Sequence, residues 1–191
     1  MTDFGFYFQL GWQHIIDKNA LDHQLFILSL AAIYLLKDWK QVLVLVTAFT
    51  IGHSLTLALS VLDIIRMKRD IVEFLIACTI IITAVTNLFQ RDFTKRSIRI
   101  NYFLALFFGL IHGMGFASSL RSMLSADEKI FWPLFGFNVG LEAGQILVVM
   151  IVLLLSFLFV QLLRINRREW VIFVSAAAFA LAMKMALERL P

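Results

Sequence analysis

Long apolar runs broken by short charged clusters dominate this chain. Read between the clusters, the runs predict six helical spans at roughly Leu21–Leu36, Gln41–Leu62, Ile71–Phe89, Tyr102–Leu120, Phe131–Leu163 and Trp170–Leu187. The breaks are Lys37 to Lys40, Arg66 to Asp70, Arg91 to Arg99, and Arg164 to Arg168. The runs are continuous rather than alternating, and they exceed the length of a barrel strand, so the pattern predicts helices and not a β-barrel. The fifth run is too long for one simple crossing. At 1.5 Å per residue it would reach about 50 Å, against a hydrocarbon core of about 30 Å. It should tilt, kink near its glycines, or project from the bilayer. Residues 1–20 precede the first span, and 4–16 read as a short interfacial helix with Phe4, Phe6, Phe8 and Trp12 at headgroup depth. The start Met1-Thr2-Asp3-Phe4 has no basic n-region of a cleavable signal peptide.

Composition sharpens this into an all-α, polytopic membrane helix bundle, one membrane domain over residues 1–191. Hydrophobic residues make up 61% of the 191 and charged residues 16%; mean hydropathy is +0.87. Water-soluble domains run near 45–50% apolar and about 25% charged, which excludes a soluble enzyme and a nucleic-acid binder. The expected partners are the lipid bilayer and, from the residues below, a metal ion; a homo-oligomer is left open. The net charge of +4 is what loop lysines and arginines produce. Six spans place both termini on one side. The first, third and fifth loops hold 9 Lys/Arg, against 8 for the termini with the other loops, which tilts the termini slightly towards the outside. Most acids at the membrane edge (Asp3, Asp17, Asp63, Asp70, Asp127, Glu128, Glu188) lie on the terminal side. The single Cys78 excludes an intramolecular disulfide and a cysteine-based zinc site.

Candidate chemistry lies in the polar residues that interrupt the apolar runs. All four histidines (His14, His23, His53, His112) fall in or against them, as do Asp22, Glu73, Asn138, Glu142 and Gln145. Ionisable groups inside a membrane are costly, face the bundle interior, and mark functional sites; a single one is as readily a hydrogen-bonded structural group. Depth favours one site. Following the alternating direction of the spans, every one of these residues falls in the half on the side of the N-terminus, whereas structural polar residues would scatter over both halves. Asn138, Glu142 and Gln145 share one helical stripe, and Gly136, Gly140 and Gly144 form another on roughly the opposite face. Ala105, Gly109, Gly113 and Ala117 repeat the small-residue pattern beside His112. Thr50 and Ser54, one turn apart around His53, read as backbone-bonded hydroxyls more than as partners of the site.

Three or four imidazoles with nearby carboxylates suit a divalent transition metal such as nickel, zinc, copper or iron. Metal ligands are Asp22, His23, His53, His112 and His14, with Glu73, Asn138, Glu142 and Gln145 lining or supporting the same cavity. A proton relay is the competing use of these groups.

Gly11 to Ile15 with Leu21 to Phe26 resembles the opening signature of the HupE/UreJ family of hydrogenase and urease accessory membrane proteins. Phe49 to Leu57, Phe108 to Ala117 and Phe137 to Gln145 are similar to its later blocks, and Glu73 and Asn87 match further polar positions. Seven residues, Ile15 to Leu21, separate His14 from the Asp22–His23 pair, where the family usually has a shorter spacing. The resemblance implies a six-span inner-membrane protein and a nickel or cobalt permease. The residues leave a second class open, a zinc-dependent intramembrane hydrolase with Ser54, Glu73 or Glu142 in catalytic roles, and a third that only binds metal.

Overall fold

A computed structural model describes residues 4–18, 20–91, 95–123 and 130–191. Asp3, Asp127, Glu128 and part of the Arg91–Arg99 cluster lie outside the described residues. Within them all regular structure is helical. The α-helices are α1 (Phe4–Ile16), α2 (Leu21–Ala31), α3 (Trp39–Val61), α4 (Arg69–Phe89), α5 (Lys95–Gly115), α6 (Ala117–Met123), α7 (Phe131–Ser156) and α8 (Arg167–Glu188). A 3₁₀ turn, Leu36–Asp38, leads into α3, and a π-helical stretch, Phe157–Leu162, extends α7.

Four of these helices are long and apolar enough to cross a membrane: Leu36–Val61, Arg69–Phe89, Phe131–Leu162 and Arg167–Glu188. Two shorter apolar helices, Leu21–Ala31 and Asn101–Gly115, complete the apolar set among the described residues. The first run therefore differs from a simple span. Its helix has 11 residues, or about 16 Å, and the chain leaves helical form at Ala32–Leu35 before the 3₁₀ turn. The long fifth run stays α-helical through its glycines, with its irregularity at 157–162. Pro133 is tolerated because it sits in the first turn of α7, where its missing N–H has no intrahelical acceptor. Asn166 starts α8 by accepting the Arg168 backbone N–H at 2.9 Å.

Small residues set the packing. Gly109 of α5 lies against the Phe49 carbonyl of α3, Gly113 against that of His53, and Gly52 against Leu106, so α3 and α5 run side by side in parallel. A second parallel pair joins α1 to α7. Gly136 faces Phe4, Gly140 faces the Phe8 carbonyl, and Gly144 faces Trp12 and Ile15, while Gly11 sits on the Phe137 carbonyl. A Cβ at Gly11 or Gly140 would fall inside the contact radius of the facing backbone oxygen, so these contacts require glycine. The segment 4–16 is thus a helix laid along α7. Further on, the Ser156 hydroxyl donates to the Tyr34 carbonyl at 3.2 Å. Together α1 and α2 follow α7 from Gly136 to Ser156, about 30 Å of helix. α8 packs antiparallel on α4, with Arg168 near Gln90 at one end and Arg189 near Glu73 at the other.

The outward faces carry large apolar side chains, among them Val44, Ile51, Ile82, Phe107, Leu154 and Phe173, all exposed. Polar side chains such as His53, His112, Gln145 and Thr79 are buried instead. This inside-out distribution is that of a bundle with hydrocarbon as solvent.

Candidate metal centre

The break between α1 and α2 builds the site. His14 stands in the last turn of α1 and His23 in the first turn of α2. Gln24 closes the break, its amide donating to the Ile15 and Asp17 carbonyls at 3.0 Å each, the latter also taking the Ala20 backbone N–H. The longer spacing before Asp22 is absorbed in this turn, so His14 still reaches His23.

His14, His23 and His53 each offer a ring nitrogen such that the three atoms lie within 4.8 Å of one another. The ring centroids are 4.5 Å apart for His14–His23, 6.0 Å for His14–His53 and 6.4 Å for His23–His53. Nitrogen ligands about 2.1 Å from one tetrahedral ion stand roughly 3.4 Å apart, so modest ring rotations close the triad on a metal. His112 comes from α5 with its ring 5.0 Å from His23.

The hydrogen bonding shows which nitrogens are held and which are spare. Asp22 Oδ1 accepts from the His23 backbone N–H at 2.9 Å and lies 3.0 Å from His23 Nδ1. That contact assigns the proton to Nδ1 and leaves Nε2 as a lone-pair donor, the arrangement by which a carboxylate orients a metal-binding imidazole. Thr79 Oγ1 of α4 lies 3.1 Å from His112 Nε2, leaving Nδ1 spare. His23 Nε2, His14 Nε2, His112 Nδ1 and both nitrogens of His53 are buried without a hydrogen bond of ordinary geometry, although the Asn138 amide faces His53. Leaving several buried imidazole nitrogens unpaired costs about 1–3 kcal/mol each. A shared cation would satisfy them together. This is the observation that fits the residues to a metal.

Aromatic rings enclose the cluster. Phe116 lies 4.5 Å from the His14 ring, Phe137 stacks on His53 at 6.1 Å, and Phe49 lies 5.0 Å from His112. On the open side is a cavity of about 290 Å³ lined by Gln13, His14, Asp22, His23, Glu73 and His112, with the exposed Asp17 and Arg69 at its mouth.

Of the remaining candidates, Asn138 stands against His53, while Glu142, Gln145 and Ser54 bond to neighbouring helix groups instead. Glu142 accepts from the Thr47 hydroxyl at 2.7 Å, and Gln145 Oε1 from Thr50 at 2.9 Å, so both tie α7 to α3. Asn138 donates to the Leu134 carbonyl at 2.8 Å. Ser54 donates to the Thr50 carbonyl at 2.7 Å, the backbone bond expected of it. Asn87 is structural, its amide donating to the Ser29 carbonyl at 2.7 Å. Thr79 and Arg189 escaped the sequence reading. A threonine in an apolar helix carries no signal of which helix it faces. Arg189, a lone cation closing the last apolar run beside an acid-rich edge, carried a weak one.

Fold and site together are those of a membrane-type helix bundle with histidines gathered inside it, close enough to one another to hold a metal ion. The chain belongs to the HupE / UreJ protein family, whose profile matches residues 1–189. No curated protein and no solved structure matches it.

Proposed function

We propose that the protein is a permease for a divalent transition metal, nickel or cobalt, that takes its ion as substrate at His14, His23 and His53. The observation that carries this reading is the set of unpaired, buried imidazole nitrogens converging within 4.8 Å. Imidazole suits nickel, cobalt and zinc, whereas magnesium and calcium require more oxygen ligands. Asp22 orients His23, and His112 is the fourth nitrogen within reach. Glu73 on the cavity wall attracts the cation to the mouth. Asn138 faces His53, and the Glu142–Thr47 and Gln145–Thr50 hydrogen bonds set further polar groups along the α3–α7 seam.

In this reading α1 and α2 form one broken crossing, and with α3, α4, α5, α7 and α8 they make six. The broken helix supports the transport function, because interrupted helices place polar groups at membrane depth where cargo ions are held. The location is the inner membrane with both termini outside. Cysteines at Thr2 and Pro191 in a Cys78→Ala background should label from the same face, and labelling from opposite faces rejects six crossings.

Uptake of radioactive nickel or cobalt into proteoliposomes tests the function. His23→Ala and His53→Ala should each abolish uptake with folded protein retained, since a desolvated ion with one imidazole fewer is under-coordinated. If neither ion crosses while a metal stays tightly bound, transport is wrong. One observation favours a second reading, a zinc-dependent membrane hydrolase. The cavity is lined by three imidazoles, His14, His23 and His112, and by Glu73, which would serve in that reading as general base for a zinc-activated water. Ser54, held by its own helix backbone, has no part in it.

A further inference from the structure

We propose that Arg189, at the C-terminal end of α8, is a positioning residue of the metal site, acting through Asp22. The inference rests on the metal-binding reading above and extends it to a residue outside the histidine cluster. Arg189 Nη1 lies 3.3 Å from Asp22 Oδ2, and its Nε lies 3.8 Å from Glu73 Oε2. Its side chain is 25% exposed, that of Asp22 15% and that of Glu73 29%. One planar guanidinium therefore joins carboxylates from two helices, in the first turn of α2 and one turn into α4. Glu73 is held in turn by Arg69 Nε at 2.6 Å.

The two oxygens of Asp22 have separate tasks. Oδ1 takes the His23 backbone N–H and faces His23 Nδ1, while Oδ2 faces Arg189. With both oxygens engaged, the carboxylate cannot swing about its χ2 axis, and the imidazole it holds keeps Nε2 on the side of His14 and His53. The fork geometry of arginine matters, because a lysine ammonium is a point charge that cannot face both carboxylates through separate nitrogens. α8 otherwise contributes none of the four imidazoles. Through Arg189 the last helix is mechanically joined to the ion's ligands, so a shift of α8 against α4 would reach His23.

Nickel binding to the full-length protein in lipid nanodiscs, measured by isothermal titration calorimetry, tests this. Loss of a group that orients a ligand typically weakens metal binding 10–100-fold. Arg189→Ala should weaken nickel binding by about tenfold or more, and Arg189→Lys should recover only part of it. The decisive comparison is made in the Asp22→Ala background, where adding Arg189→Ala should change the affinity by less than about twofold, because the path through Asp22 is already cut. A purely structural arginine would instead multiply its effect onto that of Asp22→Ala. Cobalt-loaded Arg189→Ala should also show a changed visible ligand-field spectrum. Unchanged affinity in Arg189→Ala, or full multiplication in the double variant, overturns the proposal while leaving the metal site standing. A wild-type protein that binds no nickel, cobalt or zinc overturns both.

Discussion

His53→Leu separates a structural histidine from a functional one, and the two roles predict opposite signs. His53 is fully buried, between Phe49 and Phe137, and neither ring nitrogen has a hydrogen bond of ordinary geometry. An unsatisfied buried polar group costs about 1–3 kcal/mol, and with the Asn138 amide facing the ring at least one imidazole nitrogen is in that state. Leucine has a similar volume and no polar atom, and a swap of that kind in a packed core costs under about 1.5 kcal/mol. The metal-free variant should therefore be more stable than wild type, by up to about 3 kcal/mol. For a chain of this size that raises the melting temperature by up to roughly ten degrees. Nickel should act in the reverse sense. At a hundredfold excess over its dissociation constant it should stabilise wild type by about 2.7 kcal/mol and the variant hardly at all. Thermal unfolding in nanodiscs with and without nickel reads both effects. A metal-free variant that melts below wild type would show that His53 holds the fold. Equal nickel stabilisation of both proteins would show that it is not a ligand.

Two further outcomes follow from the packing. Gly140→Val drives a side chain into the Phe8 carbonyl, so α1 must part from α7 and carry His14 away; metal affinity should fall at least tenfold, while Gly5→Ala, whose added methyl meets nothing within 4 Å, should leave it unchanged in the same titration. Glu142→Gln keeps an acceptor for the Thr47 hydroxyl, so nickel binding should stay within about twofold while proteoliposome uptake falls by about tenfold; an equal loss of both would place Glu142 among the ligands.

Much of this site is legible in the sequence because membrane burial makes polar residues informative. Four histidines in apolar runs have few places to face, and tracing the alternating span directions puts them at a common depth. Their convergence in space is what that depth argument leads one to expect. The glycine stripes announce close helix packing, but not the partner: nothing in Gly136, Gly140 and Gly144 says that α1 lies on them. The first apolar run was harder to read for a related reason. Hydropathy registers Leu21–Leu36 as one run, while the helix there stops at Ala31 and the helix before it, α1, is rich in aromatic residues that also suit an interface. Glu142 and Gln145 share a helical stripe with Asn138, yet small differences in angle turn them towards Thr47 and Thr50 rather than into the cavity. Arg189 lies 167 residues from Asp22, and only the fold brings α8 back to α2.

The central claim is that one divalent ion is held by His14, His23 and His53, and X-ray absorption at the nickel edge of the loaded protein tests it most directly. The account predicts imidazole scattering from three or four nitrogens at about 2.0–2.1 Å, reduced by one in His14→Ala, His23→Ala and His53→Ala alike. A spectrum dominated by oxygen ligands, or one that none of these three substitutions alters, would contradict it.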